Sequence, residues 1–323
     1  MLLQIKNLKV GYRNIEVVRG VELNIDKGEC VGLIGESGCG KTTVGLSVTK
    51  LIPERIGMTS GEILFEDKNI LKLNPEELRN IRGKKISYVF QEPFSSLNPV
   101  FTVYEQIREM LEKKNNIYIQ IAEILKSVGL EKIIGRKNVY PHELSGGMQQ
   151  RAMIGMAIAS KPSLVILDEP TTALDVTIQR QILDLITGLK NKMNLSILFI
   201  SHDLRIVFSI ADKIGIMYAG KIVEYGTKEK IISSPSHPYT IGLIDSIPSF
   251  EHRKQLFNVI GGKAPLFSEL PKGCKFYPRC RFRIKECLKK EPELKDISAD
   301  HFSRCILTSE IAARRLPKQN RSI

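Results

Sequence analysis

The stretch Gly35-Glu36-Ser37-Gly38-Cys39-Gly40-Lys41-Thr42-Thr43 has the pattern G-x-x-x-x-G-K-T. Its glycines let successive backbone N–H groups turn towards one anion, and a helix opening behind them adds its positive dipole end. Ser37, Gly38, Cys39, Gly40 and Thr43 would form the phosphate cradle. Lys41 would reach the β- and γ-phosphates, and the Thr42 hydroxyl would sit on Mg²⁺. A second group is Asp168-Glu169, at the end of the apolar run Ser163-Leu164-Val165-Ile166-Leu167. In a phosphate-loop protein a strand-end aspartate holds Mg²⁺, and a neighbouring carboxylate can orient and deprotonate the attacking water. A lone Asp-Glu pair could equally cap a helix; its pairing with the loop upstream favours the chemical role.

The third group is thiol. Cys274, Cys280, Cys287 and Cys305 are spaced C-x5-C-x6-C-x17-C. The spacing has no C-x2-C pair, so it is not the usual structural zinc pattern, and it misses the ferredoxin runs. Four thiolates still suit a [4Fe–4S] cluster, with an all-thiolate zinc site or free thiols as the other two readings. Lys272, Lys275, Arg279, Arg281, Arg283 and Lys285 surround them and would favour thiolates. Cys30 and Cys39 read as a small core residue and a loop filler. His237, His252 and His301 read as surface residues.

These groups need elements to position them. Cys30–Ile34 is a short apolar run suited to a buried strand, and Val44–Lys50 has helical composition, so the loop lies between strand and helix. Ile86–Phe90 reads as a buried strand ending at Gln91, where Glu92-Pro93 breaks it. Asn74-Pro75 starts a helix with cap and first-turn proline. From about 95 to 160 the pattern turns helical: Thr102–Lys114, Tyr118–Val128, and a helix opened by Ser145-Gly146-Gly147 that carries Met153, Met156 and Ala157 on its apolar face. The nearly continuous apolar run before Asp168 fits a strand buried on both faces. Val176–Leu189, Ser196–Ile200 and Asp203–Ile210 continue the alternation of helix and strand, which argues for an α/β fold on a mainly parallel sheet. A short helix is expected over Tyr239–Ile247, and regular structure looks sparse beyond it. Tyr12 follows the first strand and could stack on an adenine or simply pack.

No apolar run approaches the ~18 residues that a membrane helix needs. Met1–Lys6 reads as an edge strand, with no signal-peptide pattern, which places the chain in a reducing compartment and argues against disulfides. The net charge is +13, and residues 251–323 hold 17 Lys and Arg against 8 Asp and Glu. That basic tail leaves nucleic acid, anionic lipid, an anionic cofactor or a solvated surface open.

Leu144-Ser145-Gly146-Gly147-Met148-Gln149-Gln150-Arg151, then Leu164–Glu169, Ala173-Leu174-Asp175 and His202, resembles the ATPase subunit of ABC transporters. Gln91 matches that family's glutamine loop, and Tyr12 its adenine-stacking aromatic. The motifs span residues 1 to about 230 in family order. Met148 stands where glutamine is usual, with Gln149 following. Pro235–Thr240, Gln91–Pro99 and Leu270–Cys274 with Pro278-Arg279-Cys280 and Cys287 resemble the oligopeptide, dipeptide and nickel importer branch, some members of which carry an iron–sulfur cluster in this extension.

The resemblance implies an ATPase domain over 1–250, with an inserted helical subdomain at about 95–160, and an irregular C-terminal extension over 251–323. It implies two ATP molecules, each held by one chain's Lys41 loop and capped by Ser145, Gly146 and Gly147 of a second ATPase chain, with Asp175 at the interface. Glu169 would act on the water, His202 would contact the γ-phosphate, and Gln91 would touch Mg²⁺ or the water and signal to the helices that face the membrane subunit. Two permease subunits and an extracytoplasmic solute-binding protein would complete an importer of short peptides, nickel being the lesser option, with this chain peripheral on the cytoplasmic face. A soluble ABC ATPase acting on nucleic acid or ribosomes is the rival reading. Such relatives carry paired cassettes or long coiled coils, which this sequence lacks. An iron–sulfur regulator with secondary ATPase activity is a third, disfavoured by the complete catalytic set.

Overall fold

The computed structural model describes residues 1–53, 55, 57–92, 96–111, 115–172, 174–247 and 260–308. Along the chain run β1 (Leu3–Tyr12), β2 (Ile15–Ile25), β3 (Cys30–Ile34), α1 (Lys41–Val48), β4 (Gly57–Phe65), β5 (Lys68–Asn69), α2 (Pro75–Arg79) and β6 (Ile86–Val89). Then come α3 (Val103–Glu109), α4 (Ile117–Ser127), α5 (Gly146–Ala159), β7 (Leu164–Asp168), α6 (Val176–Met193), β8 (Ser196–Ser201) and α7 (Leu204–Ile210). β9 (Lys213–Tyr218), β10 (Lys221–Thr227), α8 (Lys228–Ser233), α9 (Pro238–Asp245), β11 (Lys295–Ser298) and β12 (His301–Ser303) complete the described elements. The chain divides into two compact units, one of residues 1–3, 25–30 and 64–200, the other of 4–24, 31–63 and 201–323. The expected boundary at 250/251 falls outside the described residues.

In the first unit β6, β7 and β8 pair in parallel, with Val89 opposite Leu167 and Asp168 opposite Ile200. All five residues of β7 are buried, as its unbroken apolar run requires of a strand covered on both faces. Helices α3, α4 and α5 pack on one another. α3 begins with a capping box: Thr102 Oγ1 accepts from Glu105 N–H, and the Glu105 carboxylate accepts from Thr102 N–H. α2 has the same box between Asn74 and Glu77, with Pro75 at its first position. α5 starts at Gly146 behind its cap, Ser145, and buries Met153.

In the second unit β3 pairs with β9 in parallel, and β9, β10, β12 and β11 follow in antiparallel order. The sheet system is therefore mixed, parallel around the motifs and antiparallel at one margin. β1 lies between β2 and β4 in a separate sheet. The C-terminal segment is less irregular than its composition suggests. β11 and β12 extend the sheet at β10, with Tyr225 opposite Phe302 and Arg304 N–H donating to Val223 O at 2.8 Å. Strands of three and four residues hold too few side chains for a period-two pattern, and backbone pairing makes them.

Two histidines expected on the surface are buried. His237 is 2% exposed and His301 is 3% exposed. The fully buried Glu224 carboxylate gathers both segments, accepting from Ser236 N–H at 2.7 Å and His237 N–H at 2.8 Å and bonding His301 Nε2 at 2.8 Å. A buried carboxylate is tolerable only with such a full set of partners. His252 lies outside the described residues.

Candidate functional site

The expected chemical residues fall into a group in each unit. In the second unit the phosphate loop joins β3 to α1. Gly38 and Gly40 take φ of 78° and 106°, a conformation that side chains resist. Gly35 is required for another reason: a Cβ there would fall 2.2 Å from the Met217 carbonyl oxygen. Cys39 is buried, and burial pushes its thiol up from the ordinary value against the pull of Lys41. Lys41 is itself only 5% exposed, and its ammonium donates to Gly35 O at 2.8 Å and Glu36 O at 3.1 Å. Ser37 is exposed on the loop surface, Thr42 is exposed and Thr43 half-buried on the first turn of α1. Tyr12 ends β1 half-buried, its ring against Gly57, where a Cβ would come within 3.3 Å of it. His202 is exposed just beyond β8, and the next residue, Asp203, caps α7 by accepting from Arg205 N–H at 2.9 Å. Burial works to raise the Asp203 carboxyl, but the Arg205 hydrogen bonds and charge outweigh it and hold it below the usual range.

The first unit carries the carboxylates. Asp168 is 2% exposed at the end of β7, and the Tyr88 hydroxyl donates to its Oδ2 at 2.8 Å. Burial, and then the Asp168 charge, push the Tyr88 hydroxyl far above its ordinary value, so it stays a donor. A hard carboxylate oriented by a hydroxyl suits the Mg²⁺ role expected of Asp168. Glu169 follows at φ 47°, a left-handed conformation that costs a non-glycine residue roughly 1 kcal/mol or more. Its backbone N–H donates to Ile200 O at 2.9 Å, which fixes that turn. Its side chain is aimed by two donors: Gln91 Nε2 at 3.1 Å and Thr172 Oγ1 at 3.0 Å reach Glu169 Oε2. Gln91 and Glu169, 78 positions apart in sequence, are thus brought together.

Two capped helix starts sit side by side in the same unit. Ser145 Oγ accepts from Met148 N–H at 3.4 Å, and Asp175 Oδ1 accepts from Ile178 N–H at 2.9 Å. Added Cβ atoms at Gly146 and Gly147 would fall 3.7 Å from Leu174 and 2.7 Å from Ile178, so the glycines let α5 approach the start of α6. Asp175 therefore has a capping role beside any role at an interface. Val176 next to it is 81% exposed. Ala173 and Pro93–Ser95, which carry part of the resemblance, lie outside the described residues.

Cys274, Cys280, Cys287 and Cys305 line one small cavity with His237, Phe276 and Leu307. The shared cavity meets the ligand count for a cluster. Even so, no three His, Cys, Asp or Glu side chains among the described residues stand together as a metal-holding group. Without a metal, burial works against the expected thiolates at three of the four positions. Burial pushes the Cys274 thiol up to about 11 and the Cys305 thiol up to about 12, with the other thiols adding repulsion. For Cys280, too, burial outweighs Arg281 and Arg283. Three of the cations make their hydrogen bonds elsewhere, while Arg283 lines the cavity itself: Arg279 bonds Glu36, Arg281 bonds Asp245, and Lys275 donates to the carbonyl oxygens of Pro271 and Lys272.

Several working residues were hidden from sequence reasoning. Tyr88 had a signal, a polar side chain in an apolar strand. Thr172, Tyr239 and the Arg279–Glu36 pair had none, because their partners are set by tertiary contact.

Residues 18–172 match the family model described as ABC transporter, and residues 223–287 match that of the oligopeptide/dipeptide transporter C-terminal region. The chain is 43% identical to the oligopeptide transport ATP-binding protein OppD of Bacillus subtilis, over 93% of this chain and 87% of that protein. It is 39% identical to OppD of Haemophilus influenzae, over 96% of this chain and 98% of that one. Among solved structures, cbiO1 of Clostridium perfringens, part of the ABC transporter complex cbiONQ, superposes with a TM-score of 0.64 at 25% identity, covering 75% of this chain and 94% of that one. The dimeric bacterial ABC transporter cassette MJ0796 gives 0.62 at 27% identity, covering 70% and 99%. No helix among the described residues is long and apolar enough to cross a membrane. Phosphate loop, strand-end carboxylates, capped glycine helix and these relatives agree: the chain is an ATP-hydrolysing member of the ABC transporter family, in the branch with the oligopeptide/dipeptide C-terminal region.

Proposed function

We propose that this chain powers the uptake of short peptides, rather than nickel, through two membrane permease subunits at the cytoplasmic face, fed by an extracytoplasmic solute-binding protein. The observation that carries the catalytic part is the Glu169 carboxylate, held by Gln91 and Thr172 next to the buried Asp168. In the second unit, Lys41 and the backbone of Ser37–Thr43 take the triphosphate of ATP, Thr42 offers its hydroxyl, Tyr12 takes the adenine and His202 the γ-phosphate. In the first unit, Asp168 and Gln91 offer oxygen ligands to Mg²⁺, which when bound neutralises phosphate charge. Glu169 accepts a proton from the attacking water, whose oxygen bonds the γ-phosphorus as the bond to ADP breaks. Ser145, Gly146 and Gly147 present a second helix N-terminus suited to an anion, for which the fitting partner is ATP on another ATPase chain, with Asp175 at the seam.

The peptide assignment is supported by the family match of residues 223–287 and the names of the relatives. Nothing in the relatives favours a nucleic-acid role, and in the tail Arg279, Arg281, Lys275 and Lys290 have partners within the chain. We further assign the four tail thiols to a [4Fe–4S] cluster, with zinc as the alternative; the support is that all four face one cavity. Each thiol would lose its proton on binding, which the raised values of Cys274, Cys280 and Cys305 make unfavourable without the metal.

Replacing Glu169→Gln tests the catalytic assignment. Turnover should fall ~100-fold or more, the scale of a lost general base, while MgATP binding persists and the dimer accumulates. Undiminished hydrolysis removes Glu169 from the role. Co-purification of membrane permeases with the full chain tests the partners.

A further inference from the structure

The phosphate loop is gripped by the C-terminal segment at one residue. Glu36, the second residue of the loop, is bonded through both side chain and backbone. Arg279 Nη1 and Nη2 donate to its two carboxylate oxygens at 2.7 and 2.8 Å, a paired geometry that fixes orientation as well as distance. Its backbone N–H donates to the Tyr239 hydroxyl at 3.1 Å. Both partners are rigidly set. Tyr239 is fully buried, 4.7 Å from the Tyr218 ring and 5.4 Å from that of Phe276. The Arg279 side chain is 8% exposed, lies over the Tyr218 ring and donates through Nε to Gly261 O at 2.9 Å.

What Glu36 holds in turn is the chemical part of the loop. Its carbonyl oxygen accepts from Lys41 Nζ at 3.1 Å and from Cys39 N–H at 3.3 Å. Moving the Glu36 peptide therefore moves the acceptor that aims the Lys41 ammonium and turns the Cys39 N–H. Any residue can fill this second position of the loop pattern as far as the phosphate is concerned. The carboxylate here faces a guanidinium from 243 positions away, so its use is to fix the loop from outside.

We propose that Arg279 is a positioning residue for ATP: by clamping Glu36 it holds the phosphate loop and Lys41 in register, so that nucleotide affinity depends on the C-terminal segment. The proposal rests on the loop being the ATP site. Arg279 acts through Glu36, whose carboxylate both its Nη atoms bond.

The test is MgATP titration of the full chain by calorimetry, with tyrosine-monitored melting in parallel. Arg279→Gln should weaken MgATP about tenfold, the low end for losing a charged hydrogen-bonded pair, and Glu36→Gln should match it. The double variant Glu36→Gln, Arg279→Gln should be no weaker than either single one, since both remove one contact. Arg279→Lys keeps charge without the paired geometry and should fall between, and it decides the matter if Arg279→Gln does not fold. Glu291→Gln is the control: it loosens the same segment from Arg19 and Lys221 without touching the loop, and its affinity should stay within about twofold of the parent. Parental affinity in Arg279→Gln or Arg279→Lys, or equal weakening in Glu291→Gln, overturns the proposal. Failure of the unmodified chain to bind MgATP overturns the site assignment itself.

Discussion

Acidification should loosen this protein through His237. Its ring is 2% exposed, and burial, aided by the Arg304 charge, pushes its pKa down to about 3. Nδ1 accepts from Tyr239 N–H at 3.1 Å at the start of α9, so a proton placed there would also break the cap. In the unfolded chain the imidazole charges below ~6.5. Between these two values the unfolded state binds more protons, so stability falls as the pH drops through that window. Each pH unit within it is worth ~1.4 kcal/mol, and from pH 7.5 to 5.0 the titration amounts to about 2 kcal/mol. His237→Asn keeps a capping acceptor and removes the titration. Urea unfolding followed by tyrosine fluorescence, in a chain with no tryptophan, should show parent and variant diverging by about 2 kcal/mol between the two pH values. Other titrating groups act alike in both and cancel. Parallel pH dependences within ~0.5 kcal/mol would refute the buried neutral histidine.

Gly35→Ala should cut MgATP affinity at least ~10-fold and lower stability by ~1–3 kcal/mol, because its Cβ would sit 2.2 Å from the Met217 backbone oxygen, which cannot rotate away. Thermal melting with nucleotide titration separates the two effects; an unchanged variant would mean the loop backbone shifts freely. For the thiol cavity, anaerobically purified protein should absorb broadly near ~400 nm, and Cys280→Ser should abolish this. A colourless protein holding one zinc per chain would decide for the alternative.

Much of the site was legible because its chemistry is local. The Gly35–Thr43 loop needs adjacent N–H groups and a following helix, so its geometry is written in nine consecutive residues. Asp168 could be placed because an unbroken apolar run must be a buried strand and therefore ends at a sheet edge. Capping likewise announced the starts of α2 and α5, where Asn74 and Ser145 answer orphan N–H groups within three residues.

What remained hidden depends on segments distant in sequence. That Gln91 and Thr172 share Glu169 Oε2, and that Glu169 holds a left-handed backbone, follows from the β6–β7 register and the bond to Ile200. The histidines were misjudged because burial is no property of a residue type: Glu224, itself a surface-prone carboxylate, encloses His237 and His301 through partners 13 and 77 positions away. The basic tail left several anionic partners open, yet Arg279 and Arg281 each bond a carboxylate of the chain itself, and burial raises the Cys280 thiol beside them despite the nearby cations. Sequence alone determined which atoms could bind phosphate and metal and which could take a proton. Tertiary packing alone decided which groups are desolvated and which distant partners orient them, because desolvation and long-range pairing exist only once the chain has closed on itself.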